Sequence, residues 1–283
     1  IPQTKGRWYV HEAITHLATV EPKFTELFLK YELPSVYLGS GVEAAMASHN
    51  WEDPPFTVLA QIIVYQQLSG ASAGSVWKKF LSCFDVTEGK DLTPNIVQKA
   101  IVRESIDSDG KKKILINDKP SGLSASKAKY VKALTDAFLD ESMLKNVNWD
   151  TISDEELYEK LIAVKGLGMW SVHMFMMFAL HRPNVLPLGD LGIRRGLCNF
   201  FGYPKGHLEI KQNVKKMDEI CAAWAPYSSF ASFYLWRHSE EPVASKEKAS
   251  GKVKKEKVVV EEQEETEDQP KKKRRTTRRS QST

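Results

Sequence analysis

The sequence has little cysteine and no long hydrophobic run. Its 283 residues include three widely spaced cysteines, Cys83, Cys198 and Cys221. This number does not suit a disulfide scaffold and is too small for a four-cysteine iron–sulfur cluster. The histidines lack zinc-ligand spacing, so we predict no metal site. Because eighteen consecutive apolar residues occur nowhere in the chain, we expect no contact with a membrane interior.

The sequence also has little net charge, and what it has is unevenly placed. The total is +4, and residues 240–283 hold 13 Lys and Arg against 10 Asp and Glu. This alternating, aromatic-poor tail is typical of disorder. Its Lys271–Arg275 cluster resembles a nuclear localisation signal, so we expect a nuclear protein. We predict an N-terminal helical segment over 1–49, a folded core over 50–238 and the charged tail over 239–283.

A glycine hairpin, Lys165-Gly166-Leu167-Gly168, lies between two apolar helical patterns. Gly166 and Gly168 permit positive φ and close approach of another backbone. The first amides of the following helix lack partners, and the helix dipole favours an anion. The hairpin could therefore hold a DNA phosphate, although the same glycines also suit an ordinary tight turn.

A lone carboxylate, Asp190, follows in the segment Leu186–Leu197, LPLGDLGIRRGL. Aspartate is a favoured N-cap, and a helix beginning near Leu191 would use it as one. The apolar neighbours also predict a partly dry site, where an ionised carboxylate needs a functional reason. Both interpretations remain open from these residues alone.

Several segments, in order, resemble the helix-hairpin-helix DNA glycosylases, most closely the alkylated-base (3-methyladenine) branch of bacterial inducible and yeast type. They cover roughly residues 50–238. The resemblance lies in a Gln-Gln-Leu-Ser helix, a Gly-Leu-Ser…Lys segment, the hairpin, the aspartate loop and a Trp-x-Pro-Tyr…Leu-Trp-Arg helix: Phe56–Phe80, Gly122–Leu134, Val164–Trp170, Leu186–Leu197 and Trp224–Arg237.

The resemblance implies a chemical role for Asp190 as the catalytic carboxylate. Trp170 stands where bifunctional relatives carry an attacking lysine, and an indole cannot form a Schiff base, so no lyase activity is expected. Trp170, Trp236 and Met174 match base-pocket positions, where indole faces would stack on a cationic base. Core packing is the competing interpretation for both tryptophans.

The resemblance also implies how DNA would be held. Leu68 would fill the gap left by a flipped base, with Gln66 and Ser69 beside it. Lys165, Gly166 and Gly168 would contact phosphate, and hairpin carbonyls could hold a monovalent cation. Alternatively, Gln66 and Leu68 only end a buried helix.

The function implied is that of a monofunctional, monomeric glycosylase that removes alkylated purines, of 3-methyladenine and 7-methylguanine type, from duplex DNA. Two alternatives remain. One is a non-catalytic helix-hairpin-helix DNA-binding module, and Asp190 argues against it. The other is an enzyme of the same fold that acts on deaminated or oxidised bases.

We predict an all-α fold with two helical subdomains and the hairpin and cleft between them. The polar stretch 102–121 is expected to be a surface loop, with a short hairpin through Lys113–Ile116 as the alternative. Five basic residues are candidates for DNA contact: Lys127, Lys129, Lys165, Arg194 and Arg195. Helical patterns cover Tyr9–Thr19, Pro22–Tyr31, Thr57–Phe80, Ala125–Asp140, Glu155–Leu180, Leu191–Phe201, Asn213–Trp224 and Ser228–His238.

Overall fold

The computed structural model describes residues 10–32, 53–68, 70–106, 108–204, 207–209 and 211–240. The chain divides into two units, Ile1–Ser245 and Lys246–Thr283. Only the first contains described residues. Ser69 and the Lys271–Arg275 cluster therefore lie outside the described residues, and their predicted roles stay predictions.

The described residues are mostly helical, so the predicted fold class is confirmed. None of these helices is both long and apolar enough to cross a membrane. The α-helices are α1 Val10–Val20, α2 Phe24–Lys30, α3 Pro55–Tyr65, α4 Gly70–Ser82, α5 Pro94–Gln98, α6 Ala125–Leu139, α7 Asp154–Ile162, α8 Met169–Met174, α9 Leu191–Phe201, α10 Lys211–Cys221 and α11 Ser228–Ser239. A π-helical turn, Phe175–Ala179, continues α8.

Side chains cap several of these helices at the predicted starting points. Ser124 accepts a hydrogen bond from the Lys127 amide at the start of α6. Ser153 does the same for Glu156 in α7. Each cap satisfies an amide that has no partner within its helix.

The helical pattern over Thr57–Phe80 is interrupted where the sequence reads Gln-Gln-Leu-Ser. Helix α3 ends at Tyr65, and Gln67 takes a positive φ of 58°. The Lys127 ammonium donates to the Val64 carbonyl at 2.7 Å and so satisfies one of the last carbonyls of α3. The break places a short turn, rather than a helical residue, at Leu68.

The expectation of a surface loop over 102–121 is wrong. An antiparallel sheet in the order β1-β2-β3 is formed by Val102–Ile106, Lys112–Ile116 and Lys119–Pro120. Val102 pairs with Ile116 and Glu104 with Ile114. Ile114 and Ile116 are buried, so β2 packs one face on the core. The alternative of a short hairpin came closer, because Lys113–Ile116 lies within β2.

The helices gather in two groups. Helices α3 to α6 contact one another and the sheet, while α9 packs on α11, and α1 and α2 pack beside them. Helix α8 and its π turn contact α3 and so connect the first group to the hairpin. The site residues lie at the end of α3, in the hairpin, at the starts of α8 and α9, and near the end of α11.

Helices α9 and α11 approach closely because Gly196 has no side chain. A Cβ at Gly196 would lie 2.1 Å from the Leu235 carbonyl oxygen. This contact brings the start of α9 beside Trp236, which follows Leu235 in α11.

Candidate active site

Asp190 is the N-cap of α9 and receives three hydrogen bonds. Its Oδ1 accepts from the Ile193 amide at 3.0 Å and from the Trp236 indole N–H at 2.8 Å. Its Oδ2 accepts from the Trp170 indole N–H at 2.7 Å. The three donors come from α8, α9 and α11 and together fix the orientation of the carboxylate. The capping and the functional interpretations of Asp190 are thus compatible, since one oxygen caps the helix and the other lies outside it.

The indole N–H groups of Trp170 and Trp236 both point at Asp190, a contact that the sequence did not predict. That the two rings offer their faces to a base stays a prediction. Trp236 is only 4% exposed and stacks on Phe178 at 5.8 Å, so core packing describes its ring. Trp170 is 39% exposed, so its ring keeps open surface.

Met174 is placed in the core rather than at the site surface. It is 1% exposed and belongs to the main hydrophobic cluster. The structure therefore gives no support to Met174 as a residue that touches a base.

Gly192 is a site residue that sequence reasoning missed. A Cβ there would lie 2.7 Å from Cδ1 of Trp236 and 3.0 Å from Oδ1 of Asp190. Only glycine lets the Trp236 indole reach the carboxylate over the first turn of α9. The signal was present as the second glycine of Gly189-Asp190-Leu191-Gly192, but its meaning depends on Trp236, which lies far along the chain.

The hairpin has a positive φ at Gly166 but not at Gly168, whose φ is −97°. Gly166 adopts φ +103°, and a Cβ there would lie 2.4 Å from Cγ of Tyr130, so the Tyr130 ring covers it. Gly168 is the N-cap of α8 and has open space where a side chain would be. Lys165 is exposed beside them. The amides at the start of α8 thus begin next to an open surface.

The wedge turn, Gln66–Leu68, is bonded to the hairpin through Gln66. The Gln66 amide nitrogen donates to the Gly166 carbonyl at 2.9 Å and lies 3.3 Å from the Ser171 hydroxyl. Leu68 is 38% exposed at the tip. Gln66 therefore ends a helix, as the alternative held, and it also joins the two segments predicted to contact DNA.

The five basic candidates separate into two classes. Lys127 is bonded to the Val64 carbonyl, and burial lowers the pKa of its ammonium. Arg194 donates to the carbonyls of Gly189 and Leu208 at 3.3 and 3.4 Å. Lys129, Lys165 and Arg195 are exposed. The last three are accessible enough to contact phosphate, whereas Lys127 and Arg194 already donate hydrogen bonds to backbone carbonyls.

The described residues contain no group of three or more His, Cys, Asp or Glu side chains arranged for a metal. A monovalent cation would need carbonyl oxygens instead. The expected monovalent cation at the hairpin carbonyls stays a prediction.

The chain is similar to proteins of known family. Residues 60–224 match the model of the HhH-GPD superfamily base excision DNA repair proteins. DNA-3-methyladenine glycosylase 1 of Schizosaccharomyces pombe is 30% identical over 186 residues, which cover 66% of this chain and 73% of that protein.

Two solved structures share the fold. The 3-methyladenine DNA glycosylase of Schizosaccharomyces pombe in complex with abasic DNA gives a TM-score of 0.57 at 26% identity, over 83% of this chain and 100% of that one. A DNA-3-methyladenine glycosidase from Bacillus halodurans gives 0.59 at 22% identity, over 83% and 93% of the two chains.

Proposed function

This chain belongs to the HhH-GPD superfamily of base excision DNA repair proteins, and from that membership we propose that it is a DNA glycosylase for alkylated purines. The proposed reaction is hydrolysis of the N-glycosidic bond in duplex DNA, with release of the base and formation of an abasic site. One observation carries the proposal: a carboxylate held by three N–H donors lies near the hairpin that begins α8.

The charge of Asp190 suits this reaction. As the bond between C1′ and the base nitrogen breaks, positive charge develops on the deoxyribose. An ionised carboxylate that is already oriented stabilises that charge without reorganising. A purine alkylated at N3 or N7 carries the bonding electrons away as a neutral base. Water then adds to C1′ and loses one proton, which completes the hydrolysis.

We propose that the enzyme has no lyase activity. Schiff-base chemistry needs an amine that attacks C1′. Trp170 stands at the position of the attacking lysine in bifunctional relatives, and its N–H is bonded to Asp190. Lys165 lies on the other side of the hairpin glycines and is exposed.

Base release requires the target nucleotide to leave the stack. We propose that Leu68 fills the gap, since it is an exposed apolar side chain at the tip of the wedge turn. Phosphate would be held by amides at the start of α8 and by Lys165. The basic cluster Lys271–Arg275 is proposed to direct the enzyme to the nucleus.

The test is base release from duplex DNA that contains N-methylpurines, with wild type compared to Asp190→Asn. Asparagine is also a good N-cap, so the fold and DNA binding should persist while the charge is lost. We expect the rate to fall about a hundredfold or more.

Three other outcomes would contradict parts of the proposal. Equal release by both proteins would remove Asp190 from the chemistry. Absence of release by a wild type that still binds DNA would favour a binding module. Release of only deaminated or oxidised bases would keep the chemistry and change the substrate class.

A further inference from the structure

We propose that Trp170 and Trp236 are positioning residues that act through Asp190: their indole N–H groups hold the carboxylate so that one lone pair of Oδ2 is left for the reacting sugar or water. This inference rests on the proposed function. It assigns to the two indoles an electrostatic role that differs from stacking on the base.

The number of hydrogen bonds that the Asp190 carboxylate accepts supports this role. An ionised carboxylate offers about four lone-pair directions. Oδ1 uses two of them, for the Ile193 amide and the Trp236 indole, while Oδ2 uses one, for the Trp170 indole. The remaining direction is on Oδ2. Because Oδ1 also caps α9, the carboxylate cannot rotate without breaking the cap.

The two indoles differ in how tightly they are packed. Trp236 packs against Phe178 and Phe233, at 5.8 and 6.0 Å between ring centroids, and Gly192 leaves room for it. Trp170 lies on the first turn of α8 and is partly exposed. Trp236 therefore fixes the position of Oδ1, and Trp170 orients Oδ2 from the hairpin side.

Basic side chains do not provide an alternative means of holding Asp190. Arg194, one turn further along α9, donates to the Gly189 and Leu208 carbonyls. Arg237, next to Trp236, donates to the Glu32 carbonyl. Over the described ranges Asp190 forms no ion pair with a basic residue, so its hydrogen-bond donors there are two indoles and one amide.

The experiment separates positioning from stacking by using DNA with no base at the site. One duplex carries a cationic pyrrolidine in place of a deoxyribose, and a matched duplex carries a neutral tetrahydrofuran. Binding of both is measured by fluorescence anisotropy for wild type, Trp170→Phe, Trp236→Phe and Asp190→Asn. Phenylalanine keeps an aromatic ring but removes the N–H donor. Trp224→Phe is the control, since Trp224 is a buried indole that packs on Phe24.

We expect wild type to prefer the cationic duplex by about tenfold or more. Each of the two phenylalanine variants should lose about three- to tenfold of that preference, in line with the net contribution of one typical hydrogen bond. Asp190→Asn should abolish the preference, and adding Trp170→Phe to it should change nothing further. The Trp224→Phe control should behave as wild type.

An undiminished preference in Trp170→Phe would overturn the proposal, as would a further loss when Trp170→Phe is added to Asp190→Asn. If circular dichroism shows that Trp236→Phe does not fold, the binding preference of Trp170→Phe alone tests the proposal, because Trp170 is partly exposed. If the wild type prefers the cationic duplex but releases no methylated purine, the proposed function is wrong, whereas the positioning role of the two indoles is still supported.

Discussion

The two sides of the active site are held in opposite ways. On one side, Asp190 is fixed by close packing, because Gly196 meets the Leu235 backbone and Gly192 meets the Trp236 ring. On the other, the exposed wedge turn is joined to the hairpin through the side chain of Gln66. The difference suits the chemistry, since a preorganised charge has to stay in place, whereas a wedge has to enter a base stack.

The largest expected effect on stability comes from a substitution that forces α9 and α11 apart. In Gly196→Ala the new Cβ would lie 2.1 Å from the Leu235 carbonyl oxygen, and a backbone atom cannot turn aside. We expect a loss of about 3 kcal/mol in the free energy of unfolding, measured by urea denaturation. Gly189→Ala is the control, because its Cβ would meet nothing within 4 Å. Equal stability of the two variants would mean that α9 and α11 are not tightly packed.

A second change targets the carboxylate more directly. In Gly192→Ala the new methyl group would push the Trp236 indole away from Asp190, while alanine favours the helix more than glycine does. Base release should therefore slow by about tenfold or more while the unfolding free energy changes little. Single-turnover kinetics beside Gly189→Ala tests this. Full activity in Gly192→Ala would show that the Trp236 hydrogen bond is not needed.

The wedge side can be tested at Gln66. Gln66→Met keeps the length of the side chain but removes the donor to the Gly166 carbonyl. We expect base release to slow about five- to tenfold, consistent with the loss of one neutral hydrogen bond. Binding to a duplex that already contains an abasic site should change less. Leu68→Ala is the companion variant: if its effect simply adds to that of Gln66→Met, the two residues do not act together.

The smallest effect concerns acid stability at the hairpin. Burial lowers the pKa of His173 on α8, and its Nδ1 has no hydrogen-bond partner among the residues that the structure describes. The unfolded chain therefore binds the proton more readily, so stability should fall as the pH drops below about 6.5. The slope from this residue is at most about 1.4 kcal/mol per pH unit. His173→Gln should flatten the decline between pH 6.5 and 5, measured by thermal unfolding, and an unaltered slope would contradict this.

The sequence predicted the backbone of the site better than its side-chain contacts. The capped start of α9 at Asp190 follows from local chemistry, because aspartate suits an N-cap. The positive φ of Gly166 likewise follows from glycine in a tight turn. Both depend on residues that are neighbours in the chain.

Contacts between distant segments were not predictable in this way. The edges of Trp170 and Trp236 meet Asp190 across separations of 20 and 46 residues. No periodic pattern says whether an indole presents its face or its N–H to a neighbour. The small sheet was missed for a related reason: β1 is exposed along nearly its whole length and lacks a strand-like alternation of polar and apolar residues.

The double duty of Asp190 also limits how the protein can change over evolutionary time. One side chain is both the cap of α9 and the proposed catalytic charge, so selection for a stable fold and selection for activity act on the same codon. A descendant that abandons catalysis still needs an oxygen at the start of the helix. Such a lineage is expected to carry asparagine, serine or threonine at position 190 more often than alanine. A relative that only binds DNA would then keep a helix-capping residue at the position of the former catalytic carboxylate.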